Sequence, residues 1–415
     1  MAVIRPFHAV RPTPELAHLV AALPYDVMNT EEAREMVKEN PHSFLRIDRG
    51  EVELEPGIDV HDPKVYAHAK AKFDGMRADG RFVTEETACL YLYRLIREGR
   101  AQTGLAATVS VAEYENNIIK KHELTRADKE QDRIDHVNTL NAQTGPIFLT
   151  YRDNEKAAAL IADIQARTAP MYDFVAEDGV AHTVWKIDGE ADIEALKAVF
   201  GEIPNLYIAD GHHRNASAAR VAKMRREANP NHRGDEGYNF YLAVLFPDSQ
   251  LEIMDYNRVV RDLNGRTQKE FLAELEKIFH IFPAVDSAEA KPKMPATFDM
   301  YLGGKWYTLA LKEKPEGDCV ERLDVSILQS NVLIPILGIG DVRTDKRIDF
   351  VGGIRGLGEL EKRVDSGEMA VAFAMYPTSL AELMEIADEG RIMPPKSTWF
   401  EPKLRSGLLM HLLDD

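Results

Sequence analysis

The sequence predicts an α/β to α+β fold, mixed sheets with flanking helices, on three observations. Apolar runs of strand length alternate with helical stretches from residue 146 to residue 260. At residues 206–228 the apolar Leu206-Tyr207-Ile208-Ala209 runs into Asp210-Gly211-His212-His213-Arg214 and then an Ala-rich stretch, which reads as strand, tight turn and helix. Two alternating segments, 297–302 and 305–311, flank Gly303-Gly304, the clearest hairpin signal in the chain.

In chain order, a proline-punctuated entry (Pro6, Pro12, Pro14, Pro24) precedes a helix over 30–38, where Thr30 is the expected hydroxyl cap ahead of Glu31 and Glu32. A second helix is expected over 62–76, a strand over 89–96, and a partner strand over 105–114 across Arg97-Glu98-Gly99-Arg100. Residues 122–141 are unusually polar. Strands follow at 146–151 and 183–187, helices at 154–167 and 190–200, and further strands at 238–246 and 251–260. Asp262-Leu263-Asn264-Gly265-Arg266 interrupts the pattern before an amphipathic helix over 268–279. Residues 291–295 read as a connector, 348–351 as a strand, 359–364 as a helix and 407–412 as a final strand. Three regions are expected: 1–150, α+β; 151–262, α/β and carrying the Asp210–Arg214 corner; and 263–415, α+β.

The chain of 415 residues has 68 acidic and 51 basic side chains and a formal charge of −17. Such a surface repels nucleic acid and anionic membrane, and Lys223-Met224-Arg225-Arg226 is the largest basic cluster. No stretch approaches the roughly 20 apolar residues of a membrane span. Cys89 and Cys319 stand far apart, outside any C-x-x-C spacing, which fits a reducing compartment and excludes a multi-cysteine zinc site. Met1–Phe7 lacks the apolar core of a signal peptide, so a cytoplasmic location is expected.

Familiar catalytic signatures are missing. Lys396-Ser397-Thr398 follows Met393-Pro394-Pro395 instead of a glycine loop, so it is no Walker A motif. Gly352-Gly353-Ile354-Arg355-Gly356-Leu357-Gly358 departs from G-x-G-x-x-G and reads more as a structural turn than as a phosphate loop. His122-Glu123 has no second histidine at i+4, and there is no G-x-S-x-G elbow.

The Asp210–Arg214 corner is the strongest chemical signal. Gly211 permits the turn, and the N–H groups and positive dipole end of the following helix favour an anion by roughly 0.3–1 kcal/mol each. Arg214 adds a bidentate donor. Further polar clusters stand at Pro24-Tyr25-Asp26-Val27, His122-Glu123-Leu124-Thr125, Asp132-Arg133 and Pro394-Pro395-Lys396-Ser397-Thr398. Cationic side chains, a carboxylate and a helix start are what phosphoryl transfer requires, since its catalysis is mostly positioning and charge neutralisation.

Together these runs, with Trp399-Phe400, Pro402-Lys403 and Ser406-Gly407, resemble the bacterial family known as domain of unknown function 1015, over essentially the whole chain. The Asp-Gly-His-His-Arg run also resembles the phosphate-binding corner of the ParB and sulfiredoxin superfamily, which includes the SerK-type kinases of free L-serine. The resemblance implies a ParB/sulfiredoxin-like core elaborated by further α+β elements, with ATP or ADP as phosphoryl donor, magnesium (Mg2+) as cofactor and O-phospho-L-serine as product. It implies phosphate or nucleotide contacts from Gly211, His213 and Arg214, with Lys396 reaching in from the C-terminal segment, and catalytic roles for Asp210 and His212. Asp26 stands where the related kinases place a glutamate base. His122, Glu123 and Arg133 are expected at the substrate, Arg133 on its carboxylate. The metal ligands are left open. His212 occupies the place of the sulfiredoxin cysteine, which argues against a reductase. The alternative reading is a nucleotide-binding regulatory module of ParB-like type with slow NTP hydrolysis and no small-molecule acceptor; a third is an enzyme of another class using the same corner on a phosphorylated substrate.

Overall fold

The computed structural model describes residues 2–284 and 291–414. The chain divides into two compact units: Met1–Lys121, Thr125–Leu251 and Pro402–Asp415 form the first, and His122–Leu124 with Glu252–Glu401 the second. Most of the expected ranges 1–150 and 151–262 lies in the first unit, and most of 263–415 in the second. The architecture is α/β with mixed sheets, as the alternation of patterns predicts.

The first unit is built on a nine-stranded sheet. Its main path runs Ile119–Lys120, Leu206–Asp210, Ile147–Tyr151, Phe240–Pro247, Arg100–Ser110, Leu90–Arg97, Ala181–Ile187 and Tyr172–Val175, and Ile4–Arg5 pairs with Arg100–Ser110. Two pairings are parallel, Leu206–Asp210 with Ile119–Lys120 and Phe240–Pro247 with Ile147–Tyr151. Helices Glu155–Arg167, Glu190–Gly201 and His212–Ala228 cover it, burying Ile161, Leu196, Phe200, Ala218 and Ala222 with Leu105, Leu149 and Leu245 of the strands. Each large aliphatic or aromatic side chain so buried contributes roughly 1.5–3 kcal/mol.

Local chemistry moves several expected boundaries. The hairpin turn at Glu98-Gly99 forms with φ of 50° and 80°, as a two-residue turn of this hand requires. Its second strand begins at Arg100 and stops at Ser110, short of the expected 114, because the Ser110 hydroxyl accepts from Ala112 N (3.2 Å) and caps the helix Val111–Glu115. Asn29, not Thr30, caps the helix Thr30–Val37, in a reciprocal box with Glu32 (2.9 Å each way). The Thr30 hydroxyl is taken instead by Arg49 Nη2, 2.8 Å away. The expected final strand shrinks to His411–Leu412, paired with Ala142–Gln143, since Gly407 has φ +84° and lies against the Phe44 ring.

The second unit carries an antiparallel six-stranded sheet, ordered Phe279–Pro283, Lys305–Leu311, Thr297–Leu302, Val371–Ala374, Tyr256–Val260 and Ile348–Gly352. The Gly303-Gly304 hairpin has the expected ends. The helix expected over 268–279 ends at Leu275, and Phe279 instead opens a strand that pairs with Lys305–Leu311 and buries its ring in the core. The strand expected over 251–260 splits into Ile253–Met254 and Tyr256–Val260 around Asp255, whose carboxylate accepts from Asn257 Nδ2 (2.6 Å). Residues 352–356 form the expected turn, in which a Cβ at Gly352 would meet the Trp399 indole at 2.8 Å.

Candidate functional site

The strand Leu206–Asp210 has a bulge, the register to Ile147–Tyr151 shifting between Ile208 and Asp210, which re-aims Asp210 at the strand end. Gly211 follows with φ +94° and opens the 17-residue helix His212–Ala228. A Cβ at Gly211 would lie 3.0–3.2 Å from the guanidinium atoms of Arg214, so the glycine serves the turn and the close approach of that side chain together. Arg214 donates from Nη1 to Pro146 O (2.5 Å) and from Nη2 to Asp210 Oδ2 (3.2 Å). Its buried Nε has no hydrogen-bond partner among the described residues. The buried Lys403 brings Nζ to 3.8 Å from Asp210 Oδ1, so two cations flank this carboxylate.

The two histidines of the corner are not cations waiting for phosphate. Burial above all pulls His212 down to about 3, so it is neutral at physiological pH. His213 Nε2 accepts from Arg126 N (3.0 Å), which places that ring's proton on Nδ1. Both can serve an anion as hydrogen-bonding groups, while positive charge comes from Arg214 and Lys403.

Within the same unit a small cleft, with a cavity of about 30 Å³, is lined by Tyr25, Asp48, Arg133, His136, Thr144, Arg214 and Ser406 among others. It accounts for two of the polar side chains of residues 122–141, Arg133 and His136. The helix Ala127–Leu140 buries Asp132, Arg133 and His136 while Ile134 and Leu140 go to hydrophobic cores. Arg133 bonds Asp132 Oδ2 through Nε (2.9 Å) and Nη2 (2.8 Å), and its Cζ lies 3.9 Å from the centroid of the Tyr25 ring. Asp132 also accepts from Tyr66 Oη (2.9 Å). Burial opposes ionisation of Asp132, but Arg133 and Tyr66 outweigh it and hold the carboxyl below its usual range. His136 is lowered to about 4, by burial and then by the Arg133 charge, with Asp48 opposing. Asp26 is exposed on the turn after Pro24, next to the buried Tyr25.

His122, Glu123 and Lys396 belong to the second unit. His122 is buried; its carbonyl accepts from Met393 N (2.8 Å), and its Nε2 lies 3.4 Å from Thr398 Oγ1, so this residue meets the 393–398 loop. Glu123 is half-buried. Lys396 is exposed with φ +61°, its carbonyl held by Arg258 Nη2 (2.9 Å) and its Nζ 5.7 Å from the Tyr256 ring centroid. Burial pulls the Arg258 guanidinium down to about 10.

The expected site residues therefore fall into two groups, Asp26, Arg133 and Asp210–Arg214 in one unit, and His122, Glu123 and Lys396 in the other. Asp48 and His136 were not singled out from the sequence, because nothing local distinguishes an aspartate at the end of a four-residue helix. Lys403 and Ser406 stood in the motif runs without a role.

A family model described as "Protein of unknown function (DUF1015)" matches residues 4–326. No curated protein matches. Similar solved structures include a conserved hypothetical protein from Pyrococcus furiosus, with TM-score 0.36 and 13% identity over 74% of this chain and 95% of that chain. A free serine kinase in complex with AMP gives TM-score 0.35 and 12% identity over 72% and 91% of the two chains. C-terminally truncated SbnI from Staphylococcus aureus gives 0.40 and 12% over 74% and 87%.

Proposed function

The chain belongs to the DUF1015 family, and from that premise and the geometry of the corner we propose a phosphotransferase that moves a phosphoryl group from ATP or ADP to the hydroxyl of free L-serine. The observation that carries the reading is the pairing of Arg214, packed on Gly211 at a helix start, with Arg133 in one cleft of the same unit. The helix N–H groups and Arg214 hold the donor phosphates; Arg133 meets the acceptor's carboxylate.

In the reaction the serine hydroxyl oxygen attacks the terminal phosphorus, the bond from that phosphorus to the bridging oxygen breaks, and the hydroxyl proton passes to Asp26. The nucleotide leaves as ADP or AMP. Asp210, an oxygen donor beside the phosphate corner, suits a hard cation such as magnesium, which when bound with the nucleotide supplies further charge neutralisation. His212, neutral and buried, positions the first helical turn. The substrate roles of His122 and Glu123 and the phosphate role of Lys396 are carried on the sequence resemblance alone. The cytoplasm is the proposed location, and no nucleic-acid or membrane partner is proposed.

Asp26→Asn tests the base. Phosphoserine formation, followed by mass spectrometry, is expected to fall about 10²–10⁴-fold with an unchanged melting temperature, since the side chain is exposed. Undiminished turnover contradicts the assignment.

A further inference from the structure

We infer that the cleft of the first unit is a subsite for the zwitterionic head of a small α-amino acid, with Arg133 taking its carboxylate and Asp48 its ammonium. The inference deepens the kinase reading and rests on it for the chemistry that follows binding.

Arg133 is held on one side only. Asp132 engages Nε and Nη2, Tyr66 Oη (2.9 Å) and His61 Nδ1 (3.3 Å) fix Asp132 in turn, and the Tyr25 ring flanks the guanidinium. A guanidinium carries five donors, and among the described residues Nη1 makes no hydrogen bond. Facing the same cleft is Asp48, 4% exposed, at the end of the short helix Leu45–Asp48. Its Oδ1 accepts from Thr144 Oγ1 (2.7 Å), and its only ion-pair neighbour among the described residues is His136, whose Nε2 is 3.9 Å away. That nitrogen is committed to Ile47 O at 3.1 Å, and the ring is neutral, so the histidine brings Asp48 no positive charge.

The cleft therefore presents a cation and an anion that do not hydrogen-bond each other, the complement of a ligand that carries both charges on groups attached to one carbon. Charge, not size, narrows the class. Arg133 and Arg214 alone would suit inorganic phosphate, but a buried carboxylate repels a dianion and favours an ammonium.

The test is calorimetric titration of the full chain, with and without a non-hydrolysable ATP analogue, using L-serine, glycine, glycolate, ethanolamine and inorganic phosphate. L-Serine and glycine are expected to bind at least tenfold more tightly than glycolate, which lacks the ammonium, and than ethanolamine, which lacks the carboxylate. The isosteric Asp48→Asn should bring L-serine down to the level of glycolate while leaving glycolate unchanged. Glycolate or phosphate binding as tightly as L-serine to the unaltered protein, or no amino-acid binding at all, overturns the subsite. Phosphoserine formation with an unchanged KM for L-serine in Asp48→Asn overturns it while the kinase stands. Head-group binding that depends on Asp48, without phosphoserine formation, keeps the subsite and removes the kinase.

Discussion

Gly211 carries two constraints at once, a left-handed backbone and the Arg214 guanidinium packed where a Cβ would stand. An alanine there adds the strain of a Cβ at φ +94°, on the order of 1–2 kcal/mol, and pushes Arg214 away from Asp210 and Pro146. Gly211→Ala is therefore expected to lower the thermal midpoint by a few degrees and turnover by at least tenfold, measured by calorimetry and phosphoserine formation on the same sample. An unaffected turnover would remove Arg214 from the site. The sequence made this residue legible because the turn and its charged neighbours are contiguous. Asp48 was illegible for the opposite reason: its partner Thr144 lies 96 residues away, and no local pattern announces a contact that the fold creates.

Elements follow their patterns wherever a side chain does not claim the backbone first. The Gly303-Gly304 hairpin obeys its period-2 alternation, whereas the strand from Arg100 ends when the Ser110 hydroxyl caps the next helix. That helix, Val111–Glu115, holds the amino-terminal strand: Glu113 accepts from Val3 N through both oxygens (2.9 and 3.1 Å). Burial, against the bond from Val3, pushes the Glu113 carboxyl up from the usual 4.5 to about 7. A raised folded-state pKa favours the protonated form, so its stabilisation is complete below pH 4.5 and is lost as pH rises through 7. Glu113→Gln keeps the acceptor and abolishes the titration. Relative to the variant, the wild type is expected to lose roughly 1–2 kcal/mol between pH 4.5 and 7, after allowance for solvent screening. Parallel denaturant midpoints for the two proteins across that range would contradict the buried, raised carboxyl. The helix Ala127–Leu140 teaches a related lesson. Its polar composition hides a face with Asp132, Arg133 and His136 buried, which period analysis of apolar residues alone does not detect.

Two units with separate hydrophobic cores make up the molecule, one around the mixed sheet and one around the antiparallel sheet. The α/β class was readable from alternation, since strand and helix periods differ over short windows. The discontinuity of both units was not, because residues 402–415 and 122–124 join their units through contacts made far from their own neighbours in sequence. The same reasoning separates the expected site residues: contiguous motifs report local chemistry, and only the fold assigns Arg133 and Arg214 to one cleft. The claim on which the account turns is phosphoryl transfer to free L-serine. Phosphorus NMR of the purified protein with magnesium, L-serine and either ATP or ADP tests it most directly. A growing O-phospho-L-serine resonance, matched by loss of the donor's terminal phosphate, is the predicted result; nucleotide breakdown to inorganic phosphate alone, or no change with either donor, would contradict it.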